Sequence, residues 1–178
     1  NRTVGTTNVD WRALGQPDLV DFENVLWKQD VIKMYGDVHP LPRLTSWYGD
    51  SGKSYSYSGI TSQPNPWTPK LRELKLLVEA AAMSKFNSVL LNWYRDGSDY
   101  LSWHADDEPE LGQEPTIASV NFGETRDFVL RRNENHAEKI MVPLGHGSLL
   151  VMSGKLQSHW QHSVPKRKKV HGSRFNLT

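Results

Sequence analysis

From Ser88 onward the chain is punctuated into short strand-like runs, and this spacing limits the possible folds more than any other feature. The runs Ser88–Tyr94, Thr116–Phe122, Asp127–Arg132, Lys139–Pro143, Ser148–Ser153 and Arg174–Thr178 are separated by turn signals at Asp96-Gly97, Gly123-Glu124, Asn133–Asn135, Gly145–Gly147 and Lys155. Short strands at roughly 8–12 residue spacing build an antiparallel sandwich or barrel. Upstream, Val31 to Gly59 is also strand-like, broken at His39-Pro40-Leu41-Pro42 and Tyr48-Gly49-Asp50-Ser51-Gly52. Met34-Tyr35-Gly36-Asp37 reads as a tight hairpin turn, because Gly-Asp supplies the positive φ such turns need. The pattern over Asp18–Leu26 suits a short helix and a strand equally.

One helix is clear. Ser62–Pro69, with three prolines, is an extended loop; Thr68 can cap, Pro69 suits a first helical position, and Leu71, Leu74, Leu77, Val78 and Ala81 recur at helical spacing, which predicts a helix ending near Met83 or Ser84. The expected class is α+β, mainly antiparallel β, with this helix packed outside the sheet. At 178 residues the chain is one domain with room for a real core. No internal repeat is visible, no signal peptide is legible at Asn1, and no apolar run approaches a bilayer span, so no membrane partner is expected.

Composition narrows the function. The absence of Cys excludes a disulfide scaffold, a thiolate zinc site and a Cys nucleophile, and fits a reducing compartment. The net charge of +1 hides a segregation. Asp106, Asp107, Glu108, Glu110 and Glu114 stand in a stretch without Lys or Arg, while Lys166, Arg167, Lys168, Lys169 and Arg174 stand in one without acids. Such a surface suits a protein that holds a cation in one place and an anion in another.

His104-Ala105-Asp106 is the strongest local pattern. Side chains two apart on an extended chain share a side, so an imidazole and a carboxylate can reach one ion. The patch His159-Trp160-Gln161-His162 offers two candidates for a third ligand. Two His and a carboxylate, with nothing softer available, describe the facial triad of non-haem Fe(II) oxygenases. No HExxH helix points to a zinc protease instead. In Arg174–Thr178, alternation puts Arg174, Asn176 and Thr178 on one face and Phe175 and Leu177 on the other. An inward Arg is costly unless it meets an anion, such as a dicarboxylate held by a bidentate fork. Asn92 and Tyr94 alternate in the same way and can donate to that anion.

These residues occur in one order with further motifs: Asn92-Trp93-Tyr94-Arg95-Asp96-Gly97, His104-Ala105-Asp106-Asp107-Glu108, Ile117–Gly123, Pro143–Met152, Trp160–Pro165 and Arg174–Thr178. In that order they resemble the AlkB family of Fe(II)- and 2-oxoglutarate-dependent dioxygenases, and most of all its branch that repairs alkylated DNA. Pro42-Arg43-Leu44, Trp47–Asp50 and Tyr55–Gly59 fit the same branch. The resemblance covers about residues 33–178. It implies a double-stranded β-helix (jelly roll) core over about residues 67–178 and an N-terminal nucleotide-recognition lid over about residues 28–66, both in one dioxygenase domain. It implies that His104, Asp106 and His162, rather than His159, bind Fe(II). Arg174 takes the distal carboxylate of 2-oxoglutarate, with Asn92, Tyr94, Asn176 and Thr178 around it.

The implied activity is oxidative demethylation with O2. 2-Oxoglutarate is decarboxylated to succinate, an N-methyl group is hydroxylated, and formaldehyde leaves a restored base. The expected substrates are bases such as 1-methyladenine and 3-methylcytosine in single- or double-stranded DNA. The same chemistry on RNA and a silent nucleic-acid-binding jelly roll are the alternatives. The target base must leave the stack. The resemblance gives Tyr57 the role of stacking on it opposite His104, with Tyr55 beside, and gives Asp107 and Glu108 contacts to its exocyclic amine. Tyr35 corresponds to a wedge that fills the gap. Arg43, Arg126, Arg131, Arg132 and Lys166–Lys169 are candidate phosphate contacts. A monomer inside the cell is expected, nuclear in a eukaryote and cytoplasmic in a bacterium.

Overall fold

The computed structural model describes residues 4–8, 22–34, 37–52, 55–57 and 60–178. In chain order the strands are β1 (Val4–Asn8), β2 (Val31–Met34), β3 (Asp37–Pro40), β4 (Leu44–Gly49), β5 (Tyr55–Tyr57), β6 (Ile60–Ser62), β7 (Ser88–Tyr94), β8 (Leu101–His104), β9 (Ile117–Gly123), β10 (Arg126–Arg132), β11 (Lys139–Leu144), β12 (Ser148–Met152), β13 (Trp160–Val164) and β14 (Arg174–Leu177). Helix α1 (Pro69–Ala82) lies between β6 and β7, and the single-turn α2 (Leu156–His159) lies between β12 and β13.

Six strands form a major sheet in the order β1-β12-β9-β14-β7-β4, and four form a minor sheet in the order β11-β10-β13-β8; their named pairings are all antiparallel. This is the jelly-roll core that the sequence leads one to expect. Alternation along the central strands explains the two cores. Leu91, Ala118, Val120, Phe122, Leu149 and Leu177 face outward against Leu71, Leu74 and Val78 of α1. Tyr94, Ile117, Leu150 and Met152 face inward and pack with Phe128, Leu130, Leu144 and Val164 between the sheets. Complete burial of one such aliphatic side chain contributes about 1.5–3 kcal/mol. Among them, the inward positions of β7, β9 and β14 are polar at Asn92, Ser119, Asn121, Arg174 and Asn176, all buried. That polar stripe inside a hydrophobic sandwich positions the site.

The helix begins as read: the Leu71 N–H donates to Thr68 Oγ1 (3.2 Å), and the helix ends at Met83 in the left-handed conformation. Hairpins β2–β3 and β5–β6 belong to neither sheet. Met34 pairs with Asp37, as a turn there requires, while Tyr35 and Gly36 between them lie outside the described residues. The ambiguous Asp18–Leu26 contributes a 3₁₀ turn at Phe22–Asn24, with residues 18–21 outside the described part. Among the described residues no helix is long and apolar enough to cross a membrane.

Arg126 corrects an expectation. It is no surface phosphate contact but 1% exposed, and it donates to the carbonyls of Asp96 (3.0 Å), Asp99 (2.8 Å) and Pro165 (2.8 Å). It clamps the loop after β7 to the start of the basic run. Gly97 completes the clamp, since a Cβ there would stand 1.8 Å from the Arg167 carbonyl oxygen. Arg167 Nε also donates to Asp127 (2.8 Å), so the basic run is docked rather than loose.

Candidate active site

His104 ends β8 and His162 sits on β13 directly across from it. The register selects His162; His159 ends α2 and is exposed. Asp106 follows two residues after His104, off the strand. Its Oδ1 lies 3.3 Å from His104 Nε2 and its Oδ2 lies 3.5 Å from His162 Nε2. One ligand atom from each of the three lies within 4.8 Å of the others.

The hydrogen bonds aim these atoms. His104 Nδ1 stands 2.9 Å from the Ser102 carbonyl, which can only accept, so Nδ1 carries a proton, and in the neutral imidazole Nε2 presents its lone pair toward Asp106. A lone pair and a carboxylate facing each other call for a cation between them. Phe128 stacks on His162 (4.9 Å between ring centres) and limits its rotation. Burial first, then the neighbouring His104, pushes His162 down to about 4, so it is neutral and ready to ligate at pH 7. Burial also works against charge on His104 and Asp106. Their mutual attraction outweighs it, so the imidazole is raised and the carboxyl lowered from their ordinary values. Two imidazoles and one carboxylate on one side of an open cavity fit Fe(II) with positions left for other ligands.

One cavity of about 110 Å³ contains the triad together with Asn92, Tyr94, Arg174, Asn176 and Thr178. The strand register brings them there: Arg174 pairs with Tyr94 and Asn176 with Asn92 across β14 and β7. Arg174 is 2% exposed and lies over the Tyr94 ring (4.9 Å). Its Nη2 donates to Asn121 Oδ1, yet its Nε and Nη1 have no hydrogen-bond partner among the described residues. Burial lowers its pKa from the usual range, with Tyr94 offsetting part of the effect. A buried guanidinium with free donors is an anion site in need of its anion. Around it, Asn176 Nδ2 donates to Ser119 Oγ (2.6 Å), Thr178 Oγ1 to Asn176 Oδ1 (2.8 Å), and Arg43 Nε to Asn92 Oδ1 (2.8 Å).

The other expected residues divide. Arg43 is 5% exposed and lines the cavity wall. Asp107 is exposed and Glu108 half-buried; neither lines the cavity, and Glu108 lines an adjoining groove beside α1 that shares Asp106 and Thr178 with it. Tyr55 and Tyr57 lie on β5, but their side chains, like all of Tyr35, are outside the described residues. Arg131 stacks on Trp103 (4.3 Å), and Arg132 pairs with Glu138 (3.6 Å).

Three site residues went unnoticed in the sequence. Ser119 and Asn121 were legible as polar positions alternating with Ala118, Val120 and Phe122. Gln157 carried no signal. Buried at 4% exposure, it accepts the Asp106 N–H on Oε1 (3.0 Å). Gln157→Leu should weaken Mn(II) binding roughly 10–100-fold, the range for residues that orient a metal ligand, in a calorimetric titration. An unchanged affinity would leave Gln157 a packing residue.

The 2OG-Fe(II) oxygenase superfamily pattern matches residues 17–178, and the chain belongs to that superfamily. Its members use Fe(II), 2-oxoglutarate and O2, which the donor set here fits. The AlkB resemblance is borne out by relatives. The chain is 46% identical to the mouse (Mus musculus) alpha-ketoglutarate-dependent dioxygenase alkB homolog 3 over 165 residues, 88% of this chain and 57% of that protein. It is 42% identical to human (Homo sapiens) DNA oxidative demethylase ALKBH2 over 154 residues, 83% of this chain and 59% of that protein. The chain thus spans little more than half the length of these relatives. Two solved structures share the fold. A 2OG-Fe(II) oxygenase family oxidoreductase from Burkholderia pseudomallei has TM-score 0.63 at 14% identity, covering 98% of this chain and 83% of that one. OsALKBH1 has TM-score 0.56 at 19% identity, covering 77% of each chain.

Proposed function

We propose that this protein is an oxidative demethylase of N-alkylated bases in nucleic acid, with DNA as its substrate. The observation that carries the reading is the single cavity in which a His104–Asp106–His162 cluster stands beside the half-unpaired Arg174. The names of the alkB homolog 3 and ALKBH2 relatives support it. Bound at the triad, Fe(II) with 2-oxoglutarate and O2 supplies the oxidation of an N-methyl carbon, which leaves as formaldehyde.

The chain's own residues have distinct tasks in this reading. Arg174 forks the distal carboxylate of 2-oxoglutarate, while Asn92, Tyr94, Asn176 and Thr178 shape its bed. His104, Asp106 and His162 hold the metal at the opposite wall, so the two bound groups meet in a fixed relation. Within the range 28–66 expected for a nucleotide-recognition lid, the hairpins β2–β3 and β5–β6 stand outside both sheets and suit that role, with Tyr55 and Tyr57 beside the flipped base and Tyr35 as the wedge, while β4 between them belongs to the major sheet. Asp107 and Glu108, next in sequence to Asp106, are rim contacts to the base. Exposed Lys166, Lys168 and Lys169 on the docked basic run, with Arg131 and Arg132, meet phosphates. The protein acts as a monomer inside the cell.

Formaldehyde release should be followed on matched DNA and RNA oligonucleotides, single- and double-stranded, each carrying one 1-methyladenine. The proposal expects turnover on DNA. Turnover on RNA alone would move the substrate, and none on any strand would leave a silent binding module.

A further inference from the structure

The outward face of the strands that carry the anion site holds an aromatic cluster that the activity as proposed does not use. On β7 and β14, alternation places Trp93 between Asn92 and Tyr94, and Phe175 between Arg174 and Asn176. Cross-strand register sets Phe175 opposite Trp93 on one side and opposite Phe122 of β9 on the other. The segment before β2 covers this rank. Its Phe22, Val25 and Trp27 pack onto the core there, while Glu23, Asn24 and Leu26 between them are exposed. Phe22 stacks on Phe175, with ring centres 4.0 Å apart and planes 11° from parallel, and meets Phe122 edge-on at 5.8 Å. Trp27 lies 5.6 Å from Trp93 and 5.9 Å from Phe175. Trp93 in turn lies 5.4 Å from Phe175 and donates its Nε1 hydrogen to Ser173 Oγ (3.0 Å), next in sequence to Arg174. The covering segment is itself fixed. Trp27 Nε1 donates to the Phe22 carbonyl (3.1 Å), and Lys28 exchanges two backbone hydrogen bonds with Thr45 of β4 (3.0 and 2.9 Å), which pairs with Asn92 of β7.

We propose that Phe22 and Trp27 are positioning residues for 2-oxoglutarate, a role that rests on the demethylase reading and on Arg174 as the clamp of the distal carboxylate. The inner face of β14 presents Arg174 and Asn176, so it adds no apolar side chain to the core between the sheets. The apolar side chains of β14, Phe175 and Leu177, lie on its outer face. Packing on that outer face therefore decides where β14 sits against β7. Arg174 has little else to place it: of its guanidinium nitrogens only Nη2 is hydrogen-bonded among the described residues. A bidentate fork to a carboxylate needs the guanidinium held to within about 0.5 Å and 10–20°. Stacked and edge-on rings have preferred mutual orientations, so they resist sliding and rotation in a way that aliphatic contacts do not. Phe22 and Trp27 thus lock the outer rank, and the alternation of the strands transmits that lock to Asn92, Tyr94, Arg174 and Asn176 on the inner face. The metal ligands His104 and His162 sit on β8 and β13 of the other sheet, so the effect falls on the cosubstrate and not on the metal.

The test is calorimetric titration without nucleic acid, first of Mn(II) into the protein and then of 2-oxoglutarate into the Mn(II)-loaded protein. Phe22→Ala and Trp27→Ala should each weaken 2-oxoglutarate binding about tenfold, short of the roughly hundredfold that a full 1 Å misplacement costs, and change Mn(II) affinity less than about twofold. Phe22→Tyr keeps the ring and should bind 2-oxoglutarate as the wild type does. Phe22→Leu keeps an apolar side chain without the stack; it guards against a folding defect in the alanine variants and should also weaken 2-oxoglutarate while sparing Mn(II). Leu74→Ala opens the same core beneath α1 and should lower the melting temperature without weakening 2-oxoglutarate. Unchanged 2-oxoglutarate affinity in the Phe22 and Trp27 variants, an equal loss of Mn(II) affinity, or an equal loss of 2-oxoglutarate in Leu74→Ala would each overturn the role. Because binding is read without nucleic acid, failure of the demethylase reading would show separately, as normal 2-oxoglutarate binding in a protein that releases no formaldehyde.

Discussion

Replacing Asp106 with Ala should abolish divalent-metal binding and all turnover of 2-oxoglutarate. The two imidazoles left on β8 and β13 face each other at 4.2 Å between ring centres and supply no anionic donor. Two neutral ligands do not hold a labile Fe(II) in a facial geometry. His104→Ala and His162→Ala should be equally inactive. His159→Ala, altering an exposed residue at the end of α2, should keep substantial activity. Metal content after dialysis, read with succinate production, checks the set. A dead His159→Ala beside an active His162→Ala would reassign the third ligand.

Arg174→Met should separate cosubstrate binding from stability. Without an anion, the wild type leaves Nε and Nη1 of a buried guanidinium unpartnered. Removing that charge should leave the ligand-free melting temperature unchanged or higher, since replacing a buried ionic group with an apolar one is often neutral or stabilising. With 2-oxoglutarate the balance reverses. Breaking a buried charge pair on one side costs about 3–5 kcal/mol, which at 1.4 kcal/mol per factor of ten is more than a hundredfold in affinity. Titration of the melting temperature with 2-oxoglutarate reads both effects. Added Fe(II) should not rescue the variant. An unchanged 2-oxoglutarate dependence would make Arg174 a structural residue whose partner is Asn121.

Much of this was legible because the physics is local. The Thr68-Pro69 start and the αL stop at Met83 bound α1, and the turn signals bound β9 to β12 within a residue or so of their observed ends. Strands β8 and β13 were harder. Leu101–His104 is short, and Trp160–Val164 gives up an inward apolar position to His162, so the feature that makes them functional blurs their alternation. The residues alone left His159 and His162 open. Only cross-strand register, a non-local property, places His162 against His104. For the same reason Arg126 read as surface charge: three carbonyls from two distant loops hold its Nη1 and Nη2 groups. Gln157 acts on a partner 51 residues away, and no sequence pattern marks the contact.

The central claim is that the metal cluster and the anion site of one cavity carry out demethylation together. Its most direct test is product balance on a single-stranded DNA oligonucleotide bearing one 1-methyladenine, with Fe(II), 2-oxoglutarate and O2 supplied. The account predicts one formaldehyde and one restored adenine per lesion, succinate formed in step with them, and none of the three products from the Asp106→Ala protein. Succinate without restored adenine, or restored adenine that persists in Asp106→Ala, would contradict it.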